Sequence, residues 1–194
     1  MFHIKSLSLI SMLIAALVMS ACTPAANSTT SIPPTQVPQN SSNANPHLTL
    51  DQLKNSTYPS SFTASGRIQL TNGQATQDIA AGSASKLTVQ LADQYAFGDL
   101  NGDSLEDAAV VLISNSGGSG TFFDLAAVLN QNGRPNSVAA IQLGDRVQLK
   151  SISVAAGLIN INMITHSSSD PLCCPSLEVT QTYQLQGDQL IQVK

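Results

Sequence analysis

The chain has no tryptophan, only five phenylalanines and three tyrosines, and charge on just 10% of its residues. Lys and Arg number 8 against 12 Asp and Glu, with no basic run. Nucleic-acid binding therefore lacks the cations that phosphate contact requires, and a strongly anionic ligand is disfavoured. The glycine-rich "NSGGSGTFF" (115–123) has no G-x-x-x-x-G-K-[ST] pattern and joins strand to strand, so it is no phosphate cradle. Ser119 lies outside any G-x-S-x-G elbow, and Ser119, His166 and Asp170 share nothing with a hydrolytic triad beyond residue type. No base–nucleophile pair is legible, so the chain reads as non-enzymatic.

Long apolar runs are also scarce. The one at the start, "LSLISMLIAALVM" (7–19), is too short to span a bilayer stably. With Lys5 before it and small residues after it, residues 1–21 read as a secretory signal. Cys22 follows Met19-Ser20-Ala21 and resembles the cysteine of a bacterial lipobox, with Met19 where Leu is usual. The resemblance implies lipidation of Cys22 and attachment to a membrane through acyl chains. Thr23, in place of Asp, implies the outer membrane facing the periplasm in a Gram-negative cell, and otherwise the outer face of the cell membrane. Ordinary cleavage after Ala21, leaving a free Cys22, is the other reading. Losing residues 1–21 removes only Lys5 of the 8 basic residues, so the remaining chain is more acidic still.

Residues 22–47 hold the cysteine and a linker rich in Ser, Thr, Pro and Asn, without Asp, Glu, Lys or Arg. Such a stretch buries too little surface to offset its ordering entropy and reads as a disordered tether ending at His47. Residues 48–194 remain, enough for a single β-rich domain.

That domain opens with "LTLDQLKNSTYP" (48–59). Thr49 is placed to cap a short helix or helical turn with Leu50, Leu53 and Tyr58 on one side, ended before Pro59. Strand patterns follow. Asn72-Gly73, Asn132-Gly133, Ala156-Gly157 and Gly187-Asp188 stand between them and read as hairpin turns. Ile159, Ile161 and Met163 alternate with Asn160 and Asn162, the period of a sheet with one wet face. "DAAVVLIS" (107–114) is apolar on both faces and predicts a central buried strand. The fold class is mainly β, an antiparallel meander forming a sandwich or half-open barrel.

Charge concentrates in "FGDLNGDSLEDAAVVL" (97–112). Asp99, Asn101, Asp103 and Asp107 occupy positions 1, 3, 5 and 9 of a loop, with the Leu105 carbonyl at position 7. Alternating oxygens suit calcium, which takes six to eight hard ligands. The run is similar to the calcium loops of FG-GAP repeats and, more distantly, dockerins. Ser104 stands where Gly is usual, and Val110 replaces the bidentate Glu of an EF-hand, excluding that family. A single copy excludes a propeller. A bound ion would be structural and weak, at about 0.1 to 1 mM. A polar turn whose side chains cap their own backbone N–H groups would use the same residues.

"SSSDPLCCPSLEV" (167–179) holds Cys173 and Cys174 side by side. A vicinal disulfide, two free thiols and pairing with another chain compete, the first being the structural reading. No helix N-terminus activates the pair for redox work. His166 with both cysteines would make a poor tetrahedral metal site.

The blocks "FGDLNGD–EDAAVVL", "GGSGTF–LAAVLN–G", "LGDRV" and "DP-CCP" together resemble a group of uncharacterised bacterial lipoproteins. That resemblance implies an exported single domain and carries no activity. The expected role is a lipid-anchored envelope protein whose non-catalytic domain binds or supports an envelope protein or glycan. The alternative is a secreted inhibitor of a lysozyme or protease, presenting the cysteine loop.

Overall fold

Hairpin chemistry sets the architecture. In the computed structural model, which describes residues 46–194, Asn132 and Gly133 take φ of 53° and 83°, and Ala156 and Gly157 take 50° and 74°. Two consecutive residues at positive φ match the right-handed twist of the strands they join. Gly187, at φ 62°, is the first central residue of a third two-residue hairpin turn, in which the glycine alone takes positive φ. The signal, Cys22 and the linker up to residue 45 lie outside the described residues.

The elements in order are α1 (Leu50–Lys54), β1 (Thr57–Pro59), β2 (Arg67–Gln69), β3 (Gln74–Asp78), β4 (Lys86–Gly98) and β5 (Asp107–Asn115). Then come β6 (Phe122–Asn130), β7 (Pro135–Asp145), β8 (Gln148–Ala155), β9 (Leu158–Thr165), β10 (Leu177–Gln186) and β11 (Gln189–Gln192). Strands β3 to β7 form a five-stranded antiparallel sheet in chain order, and β8 to β11 form a four-stranded one. The two face each other as a sandwich, and neither closes into a barrel.

One turn does something other than its sequence suggests. Asn72 and Gly73 do adopt positive φ, 52° and 81°, but the runs beside them make no hairpin. Only Thr71 and Gln74 bridge; β2 pairs with β1, whereas β3 pairs with β4. The chain uses this turn to change layers. Ile68 and Leu70 before it are buried against the outer face of the five-stranded sheet, and β3 after it extends that sheet's edge.

Two cores result, and they explain why β5 is apolar on both faces. Ala109 and Val111 point between the sheets, towards Ile159, Ile161 and Met163 of β9 and Tyr183 of β10. Ala108, Val110 and Leu112 point the other way, under a lid of Leu48, Leu53, Tyr58, Ile68 and Leu70. The Tyr58 hydroxyl donates to the Leu53 carbonyl at 2.7 Å, and burial pushes its phenol pKa upward. Each large buried side chain contributes about 1.5–3 kcal/mol of transfer free energy, so a five-residue helix is held by packing rather than propensity. Its start is fixed by a capping box between Thr49 and Gln52.

Gly98, at the end of β4, has an ordinary φ and is required for another reason. A Cβ there would lie 2.6 Å from Val154 Cγ1, so the end of β4 touches β8 only because residue 98 has no side chain. Pro46 and His47, expected to end the linker, are tied to the domain. Asn130 Nδ2 donates to the Pro46 carbonyl at 2.7 Å, and His47 Nδ1 lies 3.3 Å from the Glu106 carboxylate.

Candidate functional site

The acidic loop joins β4 to β5 at the end of the sandwich where Pro46 enters. Its side chains are turned onto its own backbone. Asp99 accepts N–H groups from Asn101 (3.2 Å) and Gly102 (2.6 Å) on one oxygen and from Ser104 (2.9 Å) on the other. Asn101 Oδ1 accepts from Asp103 N, Asp103 accepts from Leu105 N, and Asn101 Nδ2 donates back to Asp103. Slight burial works against ionised Asp99, but the N–H groups of Gly102, Ser104, Asn101 and Asp103 outweigh it and hold the carboxyl below its usual range. Ser104 takes φ 68°, the conformation that glycine normally supplies at this position.

Asp107 has gone inside. It is fully buried, and its two oxygens accept from Leu100 N and Asn130 N, each at 2.8 Å. This one carboxylate ties the loop to the neighbouring strand end. Burial pushes its pKa up and repulsion from Asp103 and Asp99 adds to that, while its two N–H donors oppose the rise. Leu105 keeps its place between these two sets, its N–H given to Asp103. Among the described residues, no three His, Cys, Asp or Glu side chains form a group able to hold a metal ion.

The cysteine loop joins β9 to β10 at the opposite end. Cys173 and Cys174 are disulfide-bonded across a Cα–Cα separation of 3.8 Å. Cys174 N donates to the Pro171 carbonyl, so residues 171–174 form a turn whose tip is Leu172, 79% exposed. Asp170 laces the loop's two ends together, accepting from Ser167 N, Ser176 N and Ser176 Oγ, each at 2.8 Å. The Ser167 N–H, with help from Ser176, holds the Asp170 carboxyl far below the usual carboxylate range.

Arg146 is the residue that sequence reasoning missed. At φ 51° in the turn between the sheets, it pairs with Asp145 and donates to the carbonyls of Ser119 and Leu172. It thereby ties the glycine-rich loop, the inter-sheet turn and the cysteine loop into one surface. The Gly144-Asp145-Arg146 run within "LGDRV" signals the turn and not the partners of Arg146. Ser119, His166 and Asp170 are not assembled for catalysis: Asp170 is engaged by serines, and His166 Nε2 is buried without a hydrogen-bond partner.

Compared with protein-family models, with curated proteins and with solved structures, the chain matches none.

Proposed function

We propose that this is a lipid-anchored envelope protein of the bacterial lipoprotein kind described above, attached through Cys22, whose β-domain binds or supports an envelope component without catalysis. The observation that carries the reading is the use made of the reactive side chains. Asp99, Asp103, Asp107 and Asp170 are spent on backbone N–H groups, where they brace loops instead of facing a substrate. Pro46 lies beside the acidic loop, and the cysteine loop stands at the other end of the domain.

Intact mass of the exported protein tests the anchor. A diacylglyceryl or triacylated Cys22 is expected, and Cys22→Ala should release the protein from the membrane fraction. An unmodified Cys22, or a protein found in the cytosol, would contradict it.

Two further readings each have one observation in their favour. Inhibition of a lysozyme or protease is favoured by the laced, disulfide-closed loop that holds Leu172 out to solvent. Purified chain should then inhibit the hydrolase stoichiometrically, and Leu172→Asp should abolish the effect. Calcium bracing of the acidic loop is favoured by the positive φ of Ser104, which curls the chain as a calcium loop does. Asp99, Asn101, Asp103 and the Leu105 carbonyl would hold the ion, with Asp107 behind them. Millimolar Ca²⁺ should then raise the melting temperature, and Asp103→Ala should abolish the rise.

A further inference from the structure

A third region uses its polar groups differently. A cleft of about 290 Å³ lies between α1, the Asn72-Gly73 turn and the middle of β4. It exists because β4 is bulged there. Leu91 pairs with Leu112 and Tyr95 with Val110, so residues 92–94 stand against Val111 alone. Bulges of this kind re-aim side chains beside functional sites. The floor is Gly73, Leu91 and Ala92, and the Lys54 stem packs 3.3 Å from where a Gly73 Cβ would sit. Any side chain at residue 73 would thus disturb the wall as well as strain the turn.

Six of the residues lining the cleft carry polar side chains: Lys54, Asn72, Gln74, Gln90, Asp93 and Tyr95. Among the described residues, none of the six gives or takes a side-chain hydrogen bond, and neither Lys54 nor Asp93 is in an ion pair. In the two loops, by contrast, Asp99, Asp103, Asp107 and Asp170 all accept backbone N–H groups. Asn72, Gln74, Gln90 and Asp93 are solvent-exposed, so their polar groups are held by water that a ligand's hydroxyls can replace on a concave wall.

We propose that this cleft binds an uncharged saccharide. One ammonium and one carboxylate cancel, so neither an anion nor a cation is favoured. Three carboxamides offer donors and acceptors side by side, the pairing that sugar hydroxyls require. Leu91 and the Tyr95 ring, held edge-on against Phe97 at 5.5 Å, supply an apolar patch for the C–H face of a sugar. The volume sits at the small end of ligand pockets, about 300–1,000 Å³, and suits one sugar unit. The proposal rests on the binding role above and names the ligand class.

The test is a titration of the full, isotope-labelled chain in detergent micelles with glucose and with N-acetylglucosamine, followed by backbone amide shifts. Saturable shifts at Gly73, Ala92 and Asp93 are expected from at least one sugar, with a Kd of about 1 mM. Gln90→Ala and Asp93→Ala should each weaken binding about tenfold or more while the Tyr58 and Leu125 amides stay in place, which shows an intact fold. Absence of saturable shifts from both sugars would overturn the proposal. So would the same shifts produced by glycine or inorganic phosphate in place of sugar. Cys22→Ala should bind equally well, so failure of the anchor and failure of the cleft are read separately.

Discussion

The acidic loop and the cleft beside α1 are both lined with side-chain oxygen and nitrogen, yet they spend them in opposite ways. In the loop, Asp99, Asn101, Asp103 and Asp107 each accept at least one backbone N–H, and Asp107 does so while fully buried. In the cleft, Lys54, Gln90 and Asp93 line an open volume, and Gln90 and Asp93 are exposed to solvent. A polar group already satisfied by its own chain stabilises the fold and has little left to offer a ligand. One that is solvated on a concave wall adds little to the fold and can exchange its water for a ligand.

Substitutions can break this comparison. The largest effect is expected from Asp107→Ala, which leaves two buried N–H groups without acceptors. At about 1–3 kcal/mol for each, the loss should be roughly 2–6 kcal/mol. That is about 10 °C in melting temperature for a domain of this size, by calorimetry. A smaller fall would mean that water reaches Leu100 N and Asn130 N. Gly98→Ala comes next, at about 1–3 kcal/mol, because its Cβ would collide with Val154. Val154→Ala in the same chain should recover at least about 0.5 kcal/mol of that, a coupling measurable by a double-mutant cycle.

At the other end, replacing both Cys173 and Cys174 with Ser should cost about 1 kcal/mol or less, since adjacent residues close the shortest of loops. Asp170 should keep that loop laced without them. Its folded pKa is depressed, so its contribution is complete above the unfolded value of about 3.9 and is lost as pH falls through the folded one. The Ser176 amide shift should accordingly stay constant from neutrality to about pH 4 and move only below it. The smallest effect on stability belongs to the cleft. Gln90→Ala and Asp93→Ala should each change unfolding free energy by no more than about 0.5 kcal/mol while weakening sugar binding.

Much of the fold was legible because hairpins and alternation are local. Asn132-Gly133 and Gly187 announced their turns, and the two-sided apolar pattern of β5 announced a strand covered on both faces. The Asn72-Gly73 turn misled because a turn's chemistry fixes its dihedral angles, not the partners of the strands on either side. Those were decided by burial of Ile68 and Leu70 under the lid. The vicinal disulfide was one of three open outcomes for adjacent cysteines. The Arg146 clasp was not legible, because its partners are carbonyls distant in the chain. The cleft left one trace. Leu87, Val89, Leu91, Tyr95 and Phe97 form an apolar series along β4, and Asp93 interrupts it at the bulge.

Amide hydrogen exchange in the acidic loop, measured on the full chain in calcium-free buffer, tests the division between spent and available groups most directly. The account expects the N–H groups of Gly102, Ser104 and Leu105 to be protected, although their residues are solvent-exposed or nearly so, because carboxylates hold them. Rapid exchange without calcium and protection only after calcium is added would contradict it, and would make the loop a metal site instead of a self-capped turn.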